Sequence, residues 1–324
     1  MEAIYSKPAL ALIEWTPTVA LVAGEVFQLP WGEAAVAMND IAAGGLGTVR
    51  RSGRHYPVAK TASQVWIKGD PLWWDHSANA ATCNEPIGAG DRDFYLGVAG
   101  DDALAADTTG SVYLNQQVAW IIDSARDNGD TTIVKTVVGS TTVEVPQVYN
   151  RGGMLFMQFG TTAEAQKVNW ISDRSFALGS NWIADILLEI VTAPDNAAVD
   201  IDVGVANGDH DTNFETIGEF AAFHLDGDDT TIDAHSDDGG TDTTITTTGL
   251  SWTAGTPVRL KLDGRDPTNV KYYVNGAEVN EATSGMGVLT AATGPLFAII
   301  HAEKTSDDSP LGLRGRIRVR TMQD

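Results

Sequence analysis

Hydrophobic and polar residues alternate strictly along two segments in the second half of the chain, 199–205 and 258–263. Successive side chains of a β-strand point to opposite faces, so this alternation predicts two strands, each with one buried and one solvated face. Two mostly apolar segments, Ile183–Val191 and Pro295–Ala302, predict strands that are buried more completely. The second half is therefore expected to form an antiparallel sandwich of two sheets.

The clearest turn signal lies between Val270–Val274 and Ala277–Val279, where the chain reads Asn275-Gly276. Asn-Gly readily adopts the positive φ angles of a type I′ turn, so these segments predict a β-hairpin.

The first part of the chain consists of short β-prone segments separated by glycine-rich turns. Many short strands at close spacing are typical of a small barrel or sandwich. The predicted strands are Val19–Leu29, Ala34–Met38, Val65–Ile67, Pro71–Trp74, Phe94–Val98 and Ser111–Gln117.

These patterns divide the chain into four parts: an N-terminal arm (1–18), a small β-barrel (19–118), a linker (119–152) and the sandwich (153–324). Within the linker, Thr131–Val138 and Thr141–Val148 flank Gly139-Ser140 and predict a second hairpin. The predicted fold class is all-β.

The formal net charge of -22 and a pI of about 4.4 argue against nucleic acid and anionic lipid as partners, because both require a basic surface. Glu14 and Pro17 interrupt the apolar stretch 9–23, which is too short to span a bilayer, so no membrane association is expected. The lone cysteine, Cys83, rules out an internal disulfide framework and is expected to be a small buried residue.

Four segments of the first region resemble a family of small phage capsid-cement proteins with a compact β-barrel. They are residues 23–30 (AGEVFQLP), 68–75 (KGDPLWWD), 95–99 (YLGVA) and 110–114 (GSVYL). Trp73 stands where that family usually has tyrosine. The resemblance implies a decoration (cement) protein that binds the major capsid protein as a homo-oligomer, with a trimer as the expected form.

The second region resembles the concanavalin-like jelly roll of lectins, glucanases and many phage structural proteins. The resembling segments are 220–227 (FAAFHLDG), 254–260 (AGTPVRL), 270–276 (VKYYVNG) and 298–304 (AIIHAEK). This resemblance implies a fold and not a chemistry. A glycan-binding module is the alternative function that it suggests.

No catalytic site is expected. Jelly-roll glucanases carry Glu-x-Asp-x-x-Glu or Glu-x-Asp-x-Glu on one strand, and neither spacing occurs here. Asp200 and Asp202 share a strand face but lack a glutamic acid partner, which favours a solvated sheet face. His224 and His235 might meet across strands, but a structural role is favoured for both.

No cofactor is required by any motif, but Ca²⁺ binding is an alternative for the acidic loops of the second region. Asp226, Asp228 and Asp229 are the best candidate ligands, and the competing interpretation is that they are solvated loop carboxylates.

Two groups of residues in the first region are candidate capsid or subunit contacts. Trp73 and Trp74 are adjacent in a predicted strand, so they must point to opposite faces, and one of them can belong to the core. The other is either covered within the same chain, an anchor for a capsid or subunit contact, or a platform for stacking a sugar. Arg50, Arg51 and Arg54 form a basic patch in an acidic chain.

The last predicted strand places four arginines on one face: Arg314, Arg316, Arg318 and Arg320. One interpretation is cross-strand pairing with carboxylates, either Asp200 and Asp202 or Asp185 and Glu189. The other is a basic strip for an acidic partner or a neighbouring subunit.

Taken together, the sequence predicts a structural virion protein on the outer surface of a phage capsid head. The barrel would bind the capsid and the jelly roll would project outward. The N-terminal arm would be a candidate added strand in the capsid contact.

Overall fold

A computed structural model describes residues 11–85, 93–124, 133–139, 141–144, 154–195, 197–208, 213–279 and 287–321. The chain forms two compact units, Met1–Val118 (unit 1) and Ala119–Asp324 (unit 2). Within the described residues every paired strand is antiparallel, and the single helical element is a three-residue 3-10 turn. The predicted all-β fold class is confirmed. No helix in the described parts of the chain is long and apolar enough to cross a membrane.

Unit 1 is a small barrel-like unit built from two sheets. Its strands are β1 (Leu12–Trp15), β2 (Val26–Gln28), β3 (Ala34–Ala37), β4 (Gly47–Arg50), β5 (Gly53–Ala59), β6 (Pro71–Asp75), β7 (Ala80–Thr82), β8 (Phe94–Ala99) and β9 (Thr109–Leu114). Sheet I has the order β1-β4-β3-β2, and sheet II has the order β5-β9-β8-β6-β7. One apolar cluster draws on both sheets, from Val36 in sheet I to Trp74 and Leu96 in sheet II.

Part of the predicted N-terminal arm belongs to sheet I. Leu12 to Trp15 pair with Arg50 to Gly47 as strand β1. Residues 1–10 of the predicted arm lie outside the described residues. The predicted strand Val65–Ile67 is instead a single bridge, in which Trp66 and Ala103 exchange backbone hydrogen bonds of 2.9 Å.

Unit 2 is a sandwich of two large sheets. Its strands are β10 (Ile122–Asp123), β11 (Ile133–Val138), β12 (Thr141–Glu144), β13 (Leu155–Phe159), β14 (Glu164–Phe176), β15 (Trp182–Thr192), β16 (Val199–Ala206), β17 (Phe220–Asp226), β18 (Thr231–Asp237), β19 (Asp242–Ser251), β20 (Val258–Gly264), β21 (Lys271–Val274), β22 (Ala277–Val279), β23 (Leu296–Asp307) and β24 (Leu311–Thr321), with a 3-10 turn at Phe214–Thr216. Sheet III has the order β12-β13-β24-β15-β20-β21-β22, with β10 also on β24. Sheet IV has the order β11-β14-β23-β16-β17-β18-β19.

The predicted hairpin of the linker is wrong. Strand β11 pairs with β14 of sheet IV, whereas β12 pairs with β13 of sheet III. Within the described residues both predicted segments contain strands, whereas residues 131–132 and 145–148 of the predicted ranges lie outside them. The two strands do not pair with each other. Each becomes the terminal strand of a different sheet, because both sheets have an open edge at this side of the sandwich.

The predicted hairpin at Asn275-Gly276 is confirmed. Val274 pairs with Ala277, and the two turn residues have φ angles of 50° and 84°. Both angles are positive, as a type I′ turn requires.

The core of unit 2 lies between sheets III and IV and contains the apolar residues of the alternating segments, such as Val203 and Leu260. The polar residues of the same segments were expected to be solvated, and this is wrong for most of them. Asp202, Arg259, Lys261 and Asp263 are all buried. These side chains contact polar or aromatic partners: Asp202 pairs with His224, Arg259 with Asp185 and Asp263 with Arg265, and Lys261 lies over the ring of Tyr273.

A close approach of backbone and ring makes Gly264 sensitive to substitution. Gly264 is the cross-strand partner of Trp182, and a Cβ at this position would lie 1.9 Å from a carbon of the buried indole ring. We expect Gly264→Ala to lower the free energy of unfolding of unit 2 by about 1–3 kcal/mol, because a well-packed core does not accommodate an extra methyl group without strain. Scanning calorimetry measures the change.

Gly160→Ala is the matched control, since a Cβ there meets no atom within 4 Å. It should change the free energy of unfolding by no more than about 0.5 kcal/mol. Equal thermal stability of the two variants would contradict the packing argument.

Candidate functional site

The three arginines of the predicted basic patch lie on sheet I and the start of sheet II, and they are engaged within unit 1. Arg50 Nη1 donates to the carbonyl of Arg54 at 2.9 Å, and Arg51 Nη1 lies 2.7 Å from Glu33 Oε2. Arg54 pairs with Asp101. Two of the three charges are thus paired with carboxylates, which reduces the net positive potential of this patch.

Trp73 and Trp74 point to opposite faces of β6. Trp74 is buried in the core of unit 1. Trp73 is half-buried and packs edge to face on Tyr95, with 5.8 Å between ring centroids. Trp73 is therefore the member of the pair that retains accessible surface.

Exposed apolar side chains concentrate in unit 1, a feature that the sequence analysis did not single out. Among the described residues, eleven large hydrophobic side chains are exposed, and eight of them belong to unit 1. These eight are Leu12, Val19, Val22, Trp31, Met38, Leu46, Tyr56 and Leu104. These side chains make unit 1 the candidate for an apolar interaction surface, because exposed apolar residues mark such surfaces where they lie next to one another.

Unit 1 also has a half-open groove of about 450 Å³ between β1, the segment leading into β2, and the start of β8. Its lining is mainly apolar and includes Trp15, Val19, Phe27, Pro30 and Phe94. Trp15 contacts Trp31 edge to face, with 5.4 Å between ring centroids. The groove thus continues the exposed apolar surface into a concave feature.

In unit 2, a row of polar side chains crosses the outer face of sheet IV. Strand register places Asn169, His301, Asp202 and His224 side by side on β14, β23, β16 and β17. His224 Nδ1 lies 2.8 Å from Asp202 Oδ1, and His301 Nε2 lies 3.1 Å from Glu303 Oε2. We call these four residues the histidine row.

The histidine row is buried, contrary to the expectation of a solvated face. Asp202 is only 2% exposed, and Asn169 and His301 are fully buried. The 3-10 turn covers part of this face, since the ring of Phe214 lies 5.7 Å from that of His301. Neither amide atom of Asn169 has a hydrogen-bond partner in the structure described, which costs about 1–3 kcal/mol for a buried group.

A second row, two residues further along the strands, consists of the carboxylates Asp226, Asp200 and Glu303. Asp200 lies directly between the other two. Burial, together with repulsion from these neighbours and from Asp202, raises the pKa of Asp200 to about 7, although His224 opposes the shift. The carboxylates of the two adjacent rows and the imidazole of His224 therefore influence each other's protonation.

His224 joins the two rows. Its Nδ1 contacts Asp202, and its Nε2 lies 3.9 Å from Asp200 Oδ1. Burial alone lowers the pKa of His224, but the hydrogen bond to Asp202 and the charges of Asp202 and Asp200 outweigh it and raise the pKa to about 9. His224 is thus held as a cation in the middle of a carboxylate cluster.

His224 and His235, for which the sequence favoured a structural role over a cross-strand pair, do not contact each other through their ring nitrogens. His235 Nε2 lies 2.8 Å from Asp242 Oδ1, whereas His224 contacts Asp202. Each has a carboxylate partner of its own, which agrees with the structural role that the sequence favoured.

The carboxylates of the acidic loop proposed for calcium are used in hydrogen bonds within their own turn. Asp226 Oδ1 accepts the backbone N–H of Asp228, and Asp229 Oδ1 accepts from the N–H and the hydroxyl of Thr231. Within the described ranges, no group of three or more His, Cys, Asp or Glu side chains is arranged to hold a metal ion. These acids shape the turn between β17 and β18.

The arginines of β24 lie on the outer face of sheet III. Arg314 Nη1 lies 3.3 Å from Glu189, and Arg318 Nε lies 3.1 Å from Asp123. The suggested partners Asp200 and Asp202 are on sheet IV, so that pairing is wrong. Asp185, the third acid considered, forms a bidentate pair with Arg259 at 2.5 and 2.8 Å.

A comparison with models of protein families finds a match within unit 1. Residues 8–114 match the family model of the phage cement proteins, a range that spans both sheets of unit 1. The resemblance of the first region to phage cement proteins, seen in the sequence, is therefore confirmed. No curated protein matches the chain.

Solved structures similar to this chain include one described with endo-acting O-glycanases of the human gut microbiota that initiate mucin breakdown (10% identity, TM-score 0.42, covering 63% of this chain and 100% of that one). Others are the potassium-bound carbohydrate recognition domain of Emp46p (11%, 0.39, 61% and 92%) and the catalytic domain of an endo-1,3-β-glucanase from Thermotoga petrophila (12%, 0.39, 63% and 98%). At these scores they carry no argument about function, and the glycan-binding alternative stays a prediction.

We expect unit 2 to lose stability as the pH rises from about 6 to about 10. The pKa of His224 in the folded state lies above its ordinary value of 6.5. The stability that its charged form provides is therefore complete below that value and is lost as the pH rises through about 9. A shift of this size corresponds to on the order of 3 kcal/mol. Asp200, with a raised pKa of about 7, acts in the same direction at lower pH.

Denaturant unfolding of the full chain at several pH values measures this slope. His224→Gln keeps a donor for Asp202 but does not titrate, so it should flatten the dependence above neutral pH. The exposed His76→Gln in unit 1 is the control and should leave the slope unchanged. A wild-type slope retained in His224→Gln would show that the dependence arises elsewhere.

Proposed function

We propose that this protein decorates the outer surface of a phage capsid head, with unit 1 docking on the major capsid protein and unit 2 displayed outward. The observation that carries the proposal is the match of residues 8–114 to the phage cement family. The proposal assigns no catalytic step to either unit.

The surface of unit 1 supports a docking role. Val19 and Val22 flank Leu21, which forms a bridge to Ile41 through two backbone hydrogen bonds of 2.9 Å. This bridge fixes the backbone that carries the two exposed valines, while Leu46 is exposed just before β4. Burial of such side chains in a contact contributes about 25 cal/mol per Å² of apolar surface, so a rigid patch of several residues provides substantial binding energy.

The tryptophans and arginines that the sequence suggested as contacts have a secondary role in the proposed docking. Trp73 adds half-exposed aromatic surface, and Trp74 acts only by supporting β6 from the core. Arg50, Arg51 and Arg54 are already engaged within unit 1, so we assign them to the polar margin of the contact. Margin charges mainly steer association and add little affinity.

Repetition of capsid sites favours weak individual contacts that act together. If decoration proteins associate as a homo-oligomer, as the sequence resemblance implies, each additional contact becomes intramolecular, and avidity exceeds the affinity of one copy. The suggestion that the N-terminal arm adds a strand to a capsid sheet applies only upstream of β1, since Leu12–Trp15 already pair with β4.

Negative charge introduced at the exposed residues Val19, Val22 and Leu46 of unit 1 tests the proposal. We expect the full chain carrying Val19→Asp, Val22→Asp and Leu46→Asp to bind undecorated capsids about tenfold more weakly or worse, because desolvating a carboxylate opposes apolar docking. Co-sedimentation with capsids over a range of protein concentrations measures the dissociation constant.

The control is the pair Val191→Asp and Leu250→Asp, which alters exposed apolar residues of unit 2. It should bind capsids like the wild type. Docking of unit 1 through Val19, Val22 and Leu46 would be refuted by either of two results. One is undiminished capsid binding by the unit 1 variant, and the other is loss of capsid binding by the unit 2 variant alone.

A further inference from the structure

The two outer faces of the sandwich in unit 2 carry opposite charge. Side chains that alternate with core residues along the strands define each face. Among the strand residues whose side chains the structure describes, the outer face of sheet III has seven Lys and Arg against five Asp and Glu, and that of sheet IV has one Lys against seven acids. The sheet III set is Asp123, Asp185, Glu189, Arg259, Lys261, Asp263, Lys271, Glu278, Arg314, Arg316, Arg318 and Arg320. The sheet IV set is Lys167, Asp200, Asp202, Asp226, Asp233, Asp237, Asp242 and Glu303.

This distribution is unusual for a chain with a net charge of -22. Unit 2 has fourteen Lys and Arg against thirty Asp and Glu, so a face with surplus positive charge is the opposite of what its composition would provide by chance. The surplus on sheet III comes from β24, where four arginines follow each other at alternate positions.

The accessible part of the sheet III face combines arginine with aromatic rings. The side chains of Arg314 and Arg318 are 33% and 22% exposed. Arg314 lies over the ring of Phe156 at 5.8 Å, and Arg318 lies over the ring of Trp120 at 5.5 Å. We call these four residues the arginine–aromatic patch.

Each arginine of the patch uses only part of its hydrogen-bonding capacity. A guanidinium group has five N–H donors in a planar fork, and the structure shows one contact from Arg314 to Glu189 and one from Arg318 to Asp123. The ring contacts hold both groups in fixed orientations. Arginine and tryptophan in such an arrangement are typical of the energetically important residues of protein interfaces, which favours a protein partner with carboxylates.

The chain itself presents such carboxylates at the end of sheet IV. Asp226 is half-buried at the end of β17, and Asp228 and Asp229 are exposed in the following turn. The hydrogen bonds from Thr231 and from the Asp228 backbone hold this turn in one conformation. A rigid group of three acids is a suitable partner for the fork of an arginine side chain.

We infer that unit 2 is a self-association module, in which the arginine–aromatic patch of one copy binds the Asp226–Asp229 turn of a second copy. The contact is head-to-tail, because two different surfaces meet, and it leaves one surface of each kind free to continue. On a capsid it would link neighbouring copies laterally. The inference goes beyond capsid docking, and its test uses no capsids, so either idea can fail alone.

Charge reversal on each surface, followed by mixing, tests the contact in the full chain. We expect wild-type protein to show a sedimentation coefficient that rises with concentration at low ionic strength and falls back in high salt, because salt screens the contact. Arg314→Glu with Arg318→Glu, or Asp226→Lys with Asp228→Lys, should each weaken this association by about tenfold or more.

An equimolar mixture of the two variants should form heavier species than either variant alone. The unaltered acidic turn of the arginine variant can bind the unaltered arginine–aromatic patch of the aspartate variant, and the two reversed surfaces also match each other in charge. Lys68→Glu with Arg174→Glu is the control, because it changes the net charge by the same amount as the arginine variant but outside the patch. It should associate like the wild type.

Reversal of Arg314 leaves Glu189 beside a second carboxylate, so folding of that variant must be checked by near-ultraviolet circular dichroism. Arg314→Gln with Arg318→Gln is the milder substitute, and the aspartate variant leaves Glu189 and all of sheet III unchanged. Concentration-independent sedimentation of the wild type would overturn the inference. So would association that both the aspartate and the glutamine variants retain.

Discussion

The alternation of side chains between the two faces of a β-strand is the constraint on which the structure of unit 2 depends. Alternate residues fill the apolar space between sheets III and IV, so the intervening residues must lie on the outer faces. Those outer faces are largely buried, and a buried charge is tolerated only when it is paired. The strand register therefore has to bring acids, histidines and arginines of distant segments together, as it does for Glu189 with Arg314 and Asp202 with His224.

The two units differ in the chemistry of the side chains that cover their sheets. Unit 1 leaves apolar side chains such as Val19, Val22 and Leu46 in contact with solvent, whereas unit 2 covers its sheets with charged ladders. Under the proposed function, docking of unit 1 on a capsid would bury these apolar side chains. Display of unit 2 toward solvent would suit its charged faces, because charged surfaces resist non-specific association. The different surfaces thus agree with different partners for each unit.

Features that depend on local pattern were predictable from the sequence. Alternation located β16 and β20, the Asn275-Gly276 pair located a hairpin, and adjacency alone placed Trp73 and Trp74 on opposite faces. Features that depend on which strands become neighbours were not. Nothing near residues 131–148 indicates that β11 and β12 join different sheets. Likewise, the burial of Asp202 depends on β17, β23 and the Phe214 turn, so the alternating pattern alone suggested a wet face.

The divergence of β11 and β12 has a mechanical consequence. Only residues 139 and 140 separate the two strands, and each is the terminal strand of its own sheet. The short covalent connection therefore holds the two sheets together along the side formed by β11 and β12. At the opposite side the sheets end in β19 and β22, which are farther apart in sequence. Under mechanical load the sheets would separate first at the β19 and β22 side, and the separation would progress toward β11 and β12.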